Sequence, residues 1–184
     1  MAPLPSSRTS KTFRAFDQAA VDYAGPIKTV QGRGKKRQKR WLCVFTCMTT
    51  RAIHVEVAFG LDTDSFLNAL SRCTSRRETP AAITSDNGTN FVGAVNELKE
   101  LVGRLEKEKI QRATGHKGIK WVFNPPSAPH FGGVFESMVK AAKKALYAVL
   151  GSSDITDEEL ITACAGVEFD QFQTTYLSIS GPAR

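Results

Sequence analysis

Apolar residues along this chain follow two rhythms, one of period two and one of period three to four. Residues 16–24 alternate loosely and end at Gly25-Pro26, which predicts a strand running into a turn. Residues 41–49 and 52–59 are rich in β-branched and aromatic side chains and are joined by Thr50-Arg51, a tight hairpin. A helix is expected over 64–76, capped by Asp62 or Thr63, with Phe66, Leu67 and Leu70 on one side. Pro80 closes that element, and a short strand over 81–85 runs into Asp86-Asn87-Gly88. From 91 to about 110, Leu98, Leu101, Val102 and Leu105 recur at helical spacing. After a turn at 115–118 come a strand over 119–123, a Pro/Gly loop over 124–133 and a helix over 134–150. A last helix starts near Thr156, with Asp157 and Glu158 in its first turn. The order is three strands, helix, strand, helix, strand, helix, helix, which is a mixed α/β domain.

Composition narrows the class. A chain of 184 residues suits one domain with a sizeable core. With 41% hydrophobic and 23% charged residues it is neither disordered nor fibrous. No apolar run is long enough for a membrane span, and residues 1–12 lack the apolar centre of a signal peptide. Those first twelve, rich in Pro, Ser, Thr and basic residues, read as a flexible basic arm. The four cysteines form neither a CxxC pair nor a disulfide framework, so buried free thiols in a reducing compartment are expected. Cys43 and Cys47 lie four apart in a predicted strand and should face the same side.

The net charge of +7 favours a polyanionic partner, nucleic acid before membrane. Six basic residues and no acid fall within 31–40, so this segment is expected to be a solvated loop or hairpin tip. It has three readings: a merely solvated tip, a DNA-backbone contact through Lys35, Lys36 and Arg37, or a nuclear-import signal.

Three acids border apolar elements: Asp22 inside the first strand, Asp86 closing the fourth, and Glu136 opening a helix after two glycines. A carboxylate in a core strand is costly unless paired or bound to metal. Any one of them alone could be a turn former. Three that converge would suit a hard cation such as Mg²⁺, which takes oxygen ligands and leaves positions for substrate phosphate. On the Glu136 helix, Lys140, Lys143, Lys144 and Tyr147 fall within about 80° of the glutamate at 100° per residue. Phe135, Met138, Val139, Ala142, Ala145, Leu146 and Val149 gather on the opposite, core-facing side. The lysines form either a solvated face with a Glu–Lys pair or a phosphate-binding row.

Four motifs in order then resemble a known family: VDYAGP around Asp22, FTCMTTRAIHVEV over the hairpin, ITSDNGTNFVGA around Asp86, and WVFNPPSAPHFGGVFE ending at Glu136. They resemble the retroviral-type integrase catalytic core, most closely the integrases of BEL/Pao-class retrotransposons. The likeness covers residues 16–150 and weakens toward 168, so 13–168 is expected to be the catalytic core. The 49 residues between Asp86 and Glu136 exceed the usual retroviral spacing and look like the BEL/Pao arrangement. The resemblance implies a ribonuclease H-like fold with a five-stranded mixed sheet flanked by helices. It also implies two Mg²⁺ or Mn²⁺ ions held by Asp22, Asp86 and Glu136, and phosphoryl transfer on DNA. In 3′-processing the nucleophile is water; in strand transfer it is the DNA 3′-hydroxyl. By family position, Lys140 and Lys143 contact DNA ends, with Lys144 beside them. Asn90 orients ligands, and the loop over 124–133 is mobile with Gly132-Gly133 as hinges. His130, in that loop, has a structural or DNA-contact role ahead of acid–base work. Phe135 stands where relatives carry Trp.

Such a core is expected to act in the nucleus on element-end and target DNA as a homo-oligomer. Full-length relatives add an N-terminal zinc module and a C-terminal DNA-binding domain; no zinc spacing is present here, and residues 1–12 look like the linker before the core. Residues 169–184 match nothing in the family. Synonymous codons can be chosen that, read one base later, turn the sequence after Glu168 into LINSRPLTYQSAD, the family continuation. The expectation is a frameshifted, aberrant tail. The alternative function is a catalytically inactive DNA-binding or oligomerisation remnant; a different ribonuclease H-like nuclease fits the Glu136 motif less well.

Overall fold

The sheet is built around β1 (Gln18–Gln31), whose near-continuous burial marks a central strand. The computed structural model describes residues 14–31, 36–85, 107–123, 129–150 and 155–180. On one side β1 pairs antiparallel with β2 (Lys36–Cys47), which pairs antiparallel with the edge strand β3 (Ile53–Ala58). On the other side β1 pairs parallel with β4 (Ala82–Ser85), which pairs parallel with β5 (Lys120–Phe123). The order is therefore β3-β2-β1-β4-β5. A hairpin meander continued by crossover-linked parallel strands is the mixed sheet expected of a ribonuclease H-like fold.

Helices cover both faces. On one, Val21, Tyr23, Cys43 and Phe45 meet Phe66, Ala69, Leu70 and Cys73 of α1 (Thr63–Arg77) and Ile110 of α2 (Lys107–Gly115). On the other, Ala24, Leu42, Val44 and Val55 meet Ala142 and Leu146 of α3 (Pro129–Leu150), with Leu160, Ala163, Cys164 and Val167 of α4 (Asp157–Ser180). All four cysteines are free and buried, with Cys43 and Cys47 on the α1 face together. Burial pushes the thiols of Cys43, Cys73 and Cys164 up to about 12, so they behave as small hydrophobes.

Local chemistry explains the helix ends. Asp62 is the N-cap of α1: its backbone is extended, and its carboxylate accepts from the Ser65 N–H at 2.8 Å. Arg76 and Arg77 occupy the last turn, where cations favour the helix dipole.

Several expectations need correction. β1 does not stop at Gly25-Pro26; a bulge between Ala24 and Ile27 absorbs one extra residue and the strand continues to Gln31. Gly25 makes this possible, because its φ is +121° and a Cβ there would approach the Arg40 carbonyl oxygen to 3.1 Å. Consequently Lys36 to Arg40 form strand rather than loop. The β2–β3 connection runs through Met48 to Ala52, with Arg51 at φ 63° and its N–H on the Cys47 carbonyl. α2 extends to Gly115, five residues past the expected end, while the expected portion over 91–106 lies outside the described residues. α3 starts at Pro129, so His130 and Gly132-Gly133 are helical rather than in a loop with hinges. Proline is well suited to a helix's first position because it lacks only an N–H that the first turn cannot use. Val149, expected in the core, is 62% exposed near the end of α3.

Candidate active site

Asp22 lies within the central strand, four residues after its start at Gln18. Its neighbours Val21 and Tyr23 point to the α1 face, so alternation directs Asp22 to the α3 face, alongside Ala20 and Ala24. Only 8% of it is exposed, and one carboxylate oxygen accepts from the Tyr23 N–H at 2.7 Å. Its partner across the β1–β2 ladder is Val44. On the other flank the described parallel ladder ends at Val21–Ser85. Asp86, the next residue in the chain, lies outside the described residues.

α3 packs on this same face, against β1, β2 and α4. Glu136 belongs to its backbone, six residues before the buried Ala142, and the Glu136 side chain is outside the described ones. Lys140 and Lys144 are exposed, Lys143 is half-buried and Tyr147 is exposed, while Met138, Ala142, Ala145 and Leu146 turn inward. The polar row expected on this helix thus exists at Lys140 and Lys144 and is partly sunk at Lys143. Lys36 and Arg37 are exposed at the start of β2. Lys35 and Asn90 lie outside the described residues, as does the side chain of His130. Among the described residues no three His, Cys, Asp or Glu side chains form a metal-holding group.

A second polar assembly was not anticipated from the sequence. At the β3 edge, His54 Nδ1 lies 3.0 Å from Glu168 of α4, and Nε2 lies 3.0 Å from Glu56. Arg72 and Arg76 donate to Glu56 at 2.7 and 3.0 Å, and Arg77 donates to Glu168 at 2.8 Å. Glu168 also accepts the Val55 N–H at 2.7 Å, and Arg72 donates to the Val57 carbonyl at 2.6 Å. These side chains occupy backbone groups that an edge strand otherwise offers to another strand. They line a cavity of about 400 Å³ two strands away from Asp22. Burial by itself lowers the His54 imidazole, but hydrogen bonds and charge from Glu168 and Glu56 outweigh it and raise it above its ordinary value. Burial raises both carboxyls, and the hydrogen bonds and charges of His54 and the arginines bring each below its ordinary value. The sequence signal was available: His54 and Glu56 stand two apart in an apolar strand, on one face, facing a helix that ends in arginines.

Residues 14–129 match the integrase core domain family. This chain belongs to that family. The integrase core is similar in fold to a chain of the simian T-cell lymphotropic virus intasome, seen in complex with PP2A regulatory subunit B56 gamma. The TM-score is 0.60 at 14% identity, over 84% of this chain and 49% of the other. It therefore spans about half the length of that viral chain. The HTLV-2 integrase catalytic core domain, solved with magnesium in a trimeric form, aligns with TM-score 0.57 and 14% identity over 86% of both chains. These likenesses establish the ribonuclease H-like fold. No curated protein matches.

Proposed function

We propose that this integrase core is that of a BEL/Pao-class retrotransposon and that it carries out phosphoryl transfer on DNA, as 3′-processing and strand transfer. The observation that carries this reading is the buried Asp22, placed by the central strand on the face where α3, the helix of Glu136, packs. The β1–β4 register supports it further, since it ends one residue before Asp22 and one before Asp86. A buried carboxylate on that face fits a site for a hard cation, which takes oxygen ligands.

Asp22, Asp86 and Glu136 would hold two Mg²⁺ or Mn²⁺ ions, which supply charge neutralisation at phosphorus and a more acidic nucleophile when bound. Asp22 acts from a strand paired on both sides and so holds its carboxylate in place. Lys140, Lys143 and Lys144 carry positive charge along the same helix as Glu136 and bind the DNA backbone. Asn90 orients ligands after Asp86, His130 contacts DNA at the start of α3, and Lys35, Lys36 and Arg37 contact the backbone from β2. The protein works in the nucleus as a homo-oligomer on element-end and target duplexes.

Strand transfer with element-end DNA and Mn²⁺ tests the reading. Asp22→Asn and Asp86→Asn are each expected to abolish joining while circular dichroism stays that of the folded domain. Near-normal joining by either variant refutes the assignment.

One observation favours the inactive remnant as a second reading. Leu160, Ala163, Cys164 and Val167 of α4 are buried against the sheet, whereas Phe169, the first residue after Glu168, is 62% exposed. An exposed aromatic at that point fits a frame change after Glu168, although the helical backbone continues to Ser180. Sequencing the locus decides it, since codons that cannot be re-read one base later exclude a frameshift.

A further inference from the structure

The β1–β2 pair is longer than the sheet that contains it. β4 pairs with β1 only at Gln18 to Val21, and β3 pairs with β2 only at Trp41 to Thr46. Beyond these, Ile27 to Gln31 and Lys36 to Arg40 continue as a two-stranded ribbon. The extra residue of the Gly25 bulge reverses the facing of β1 there. Ile27, paired with Arg40, points to the α3–α4 side, and Lys28, paired with Lys39, points to the opposite side. Arg37, paired with Val30, joins them there, because β2 alternates without interruption.

The inner side of the ribbon is bolted down. Arg40 donates to both oxygens of Asp157, at 2.9 and 2.8 Å, and Gln31 donates to Asp157 at 2.5 Å. The Val30 N–H bonds the Ile155 carbonyl at 2.8 Å, and the Arg40 guanidinium lies over the Phe59 ring. The ribbon is thereby held in one direction, with Lys28, Arg37 and Lys39 exposed on its outer side. Not one Asp or Glu occurs between Ala24 and Val55 in the sequence. Lys28 stands directly across from Lys39, so two positive side chains share this side of the ribbon with Arg37.

We propose that the outer face of this ribbon, through Lys28, Arg37 and Lys39, is a second DNA-binding surface, on the opposite face of the sheet from the α3 lysines. The domain then holds two duplex segments at once. A two-stranded ribbon fits the major groove, and lysine and arginine side chains contact phosphates independently of sequence. This rests on the integrase reading, which supplies a reason for two duplexes.

The test is duplex binding, followed by fluorescence anisotropy over a range of salt with a random-sequence DNA. The variants are Lys28→Gln/Arg37→Gln/Lys39→Gln, Lys140→Gln/Lys143→Gln/Lys144→Gln, and the two combined. Each triple variant is expected to reduce the salt slope by about 2.7, at roughly 0.9 per phosphate contact. The losses should add in the combined variant. On the unmodified protein, duplex DNA should protect Lys28 and Lys39 from amine acetylation, a readout that needs no variant to fold. An unchanged slope with no protection overturns the proposal. So does a combined variant no worse than either triple, which means one surface, or unchanged DNA binding with lost nuclear accumulation, which assigns the patch to import. None of these readouts needs catalysis, so the integrase reading stands or falls separately on the Asp22 and Asp86 variants.

Discussion

Buried charge is handled in two ways by single residues here. Asp22 sits in the central strand on the face that receives α3, where the proposed cation site would hold it. His54 sits deeper, between two carboxylates that are themselves held by arginines. With each ring nitrogen 3.0 Å from a carboxylate oxygen, the cluster favours the protonated form of His54 and raises its imidazole above the ordinary value. This gives the cluster a pH window. The raised imidazole contributes stability that is complete below its ordinary value of 6.5 and is lost as pH rises through its folded value. The lowered carboxyls of Glu56 and Glu168 contribute stability that is complete above their ordinary 4.5 and is lost as pH falls through their folded values. Urea unfolding across pH should therefore show a maximum between those limits, and His54→Gln should flatten the alkaline side. An alkaline limb unchanged by that substitution would exclude the bridged imidazolium. The residue types were all in the sequence, but Glu168 is over a hundred residues from His54, and only the fold brings them together.

Among the elements, most helices and strands followed from periodicity and caps. Asp62 performs the predicted capping, and α1 differs from its expected span by one residue at each end. Strand β1 departs most, because Gly-Pro is a strong turn signal locally while the ladder to β2 outweighs it once a bulge takes up the extra residue. Gly25→Ala is expected to cost about 2 kcal/mol in urea unfolding, since φ near +121° is open essentially to glycine alone. No measurable loss would mean that the bulge can relax without it. The start of α3 departs from the expected loop for a related reason: Pro and two glycines suggest a loop, yet proline at a first helical position and glycines inside a helix supported by tertiary contacts are tolerated.

At the scale of the molecule, the edge of the sheet and the packing of α4 are one problem. Glu168 ties α4 to the Val55 amide, His54 and Arg77, and closes the β3 edge. Glu168→Ala removes one partner of a buried ionic network and is expected to cost about 3 kcal/mol. Amide exchange at Val55 should accelerate with it, and an unchanged rate would show that α4 is held otherwise. The sequence by itself determined the element order, the α/β class, the basic balance and three candidate carboxylates, because periodicity, turn chemistry and charge are local properties written in neighbouring residues. Only the tertiary structure decided that Asp22 faces α3, that a bulge turns Lys28 to the outer side of the ribbon, and that His54 is enclosed by acids from two elements. Those outcomes depend on strand register and on contacts between distant segments, where a shift of one residue reverses which face a side chain meets.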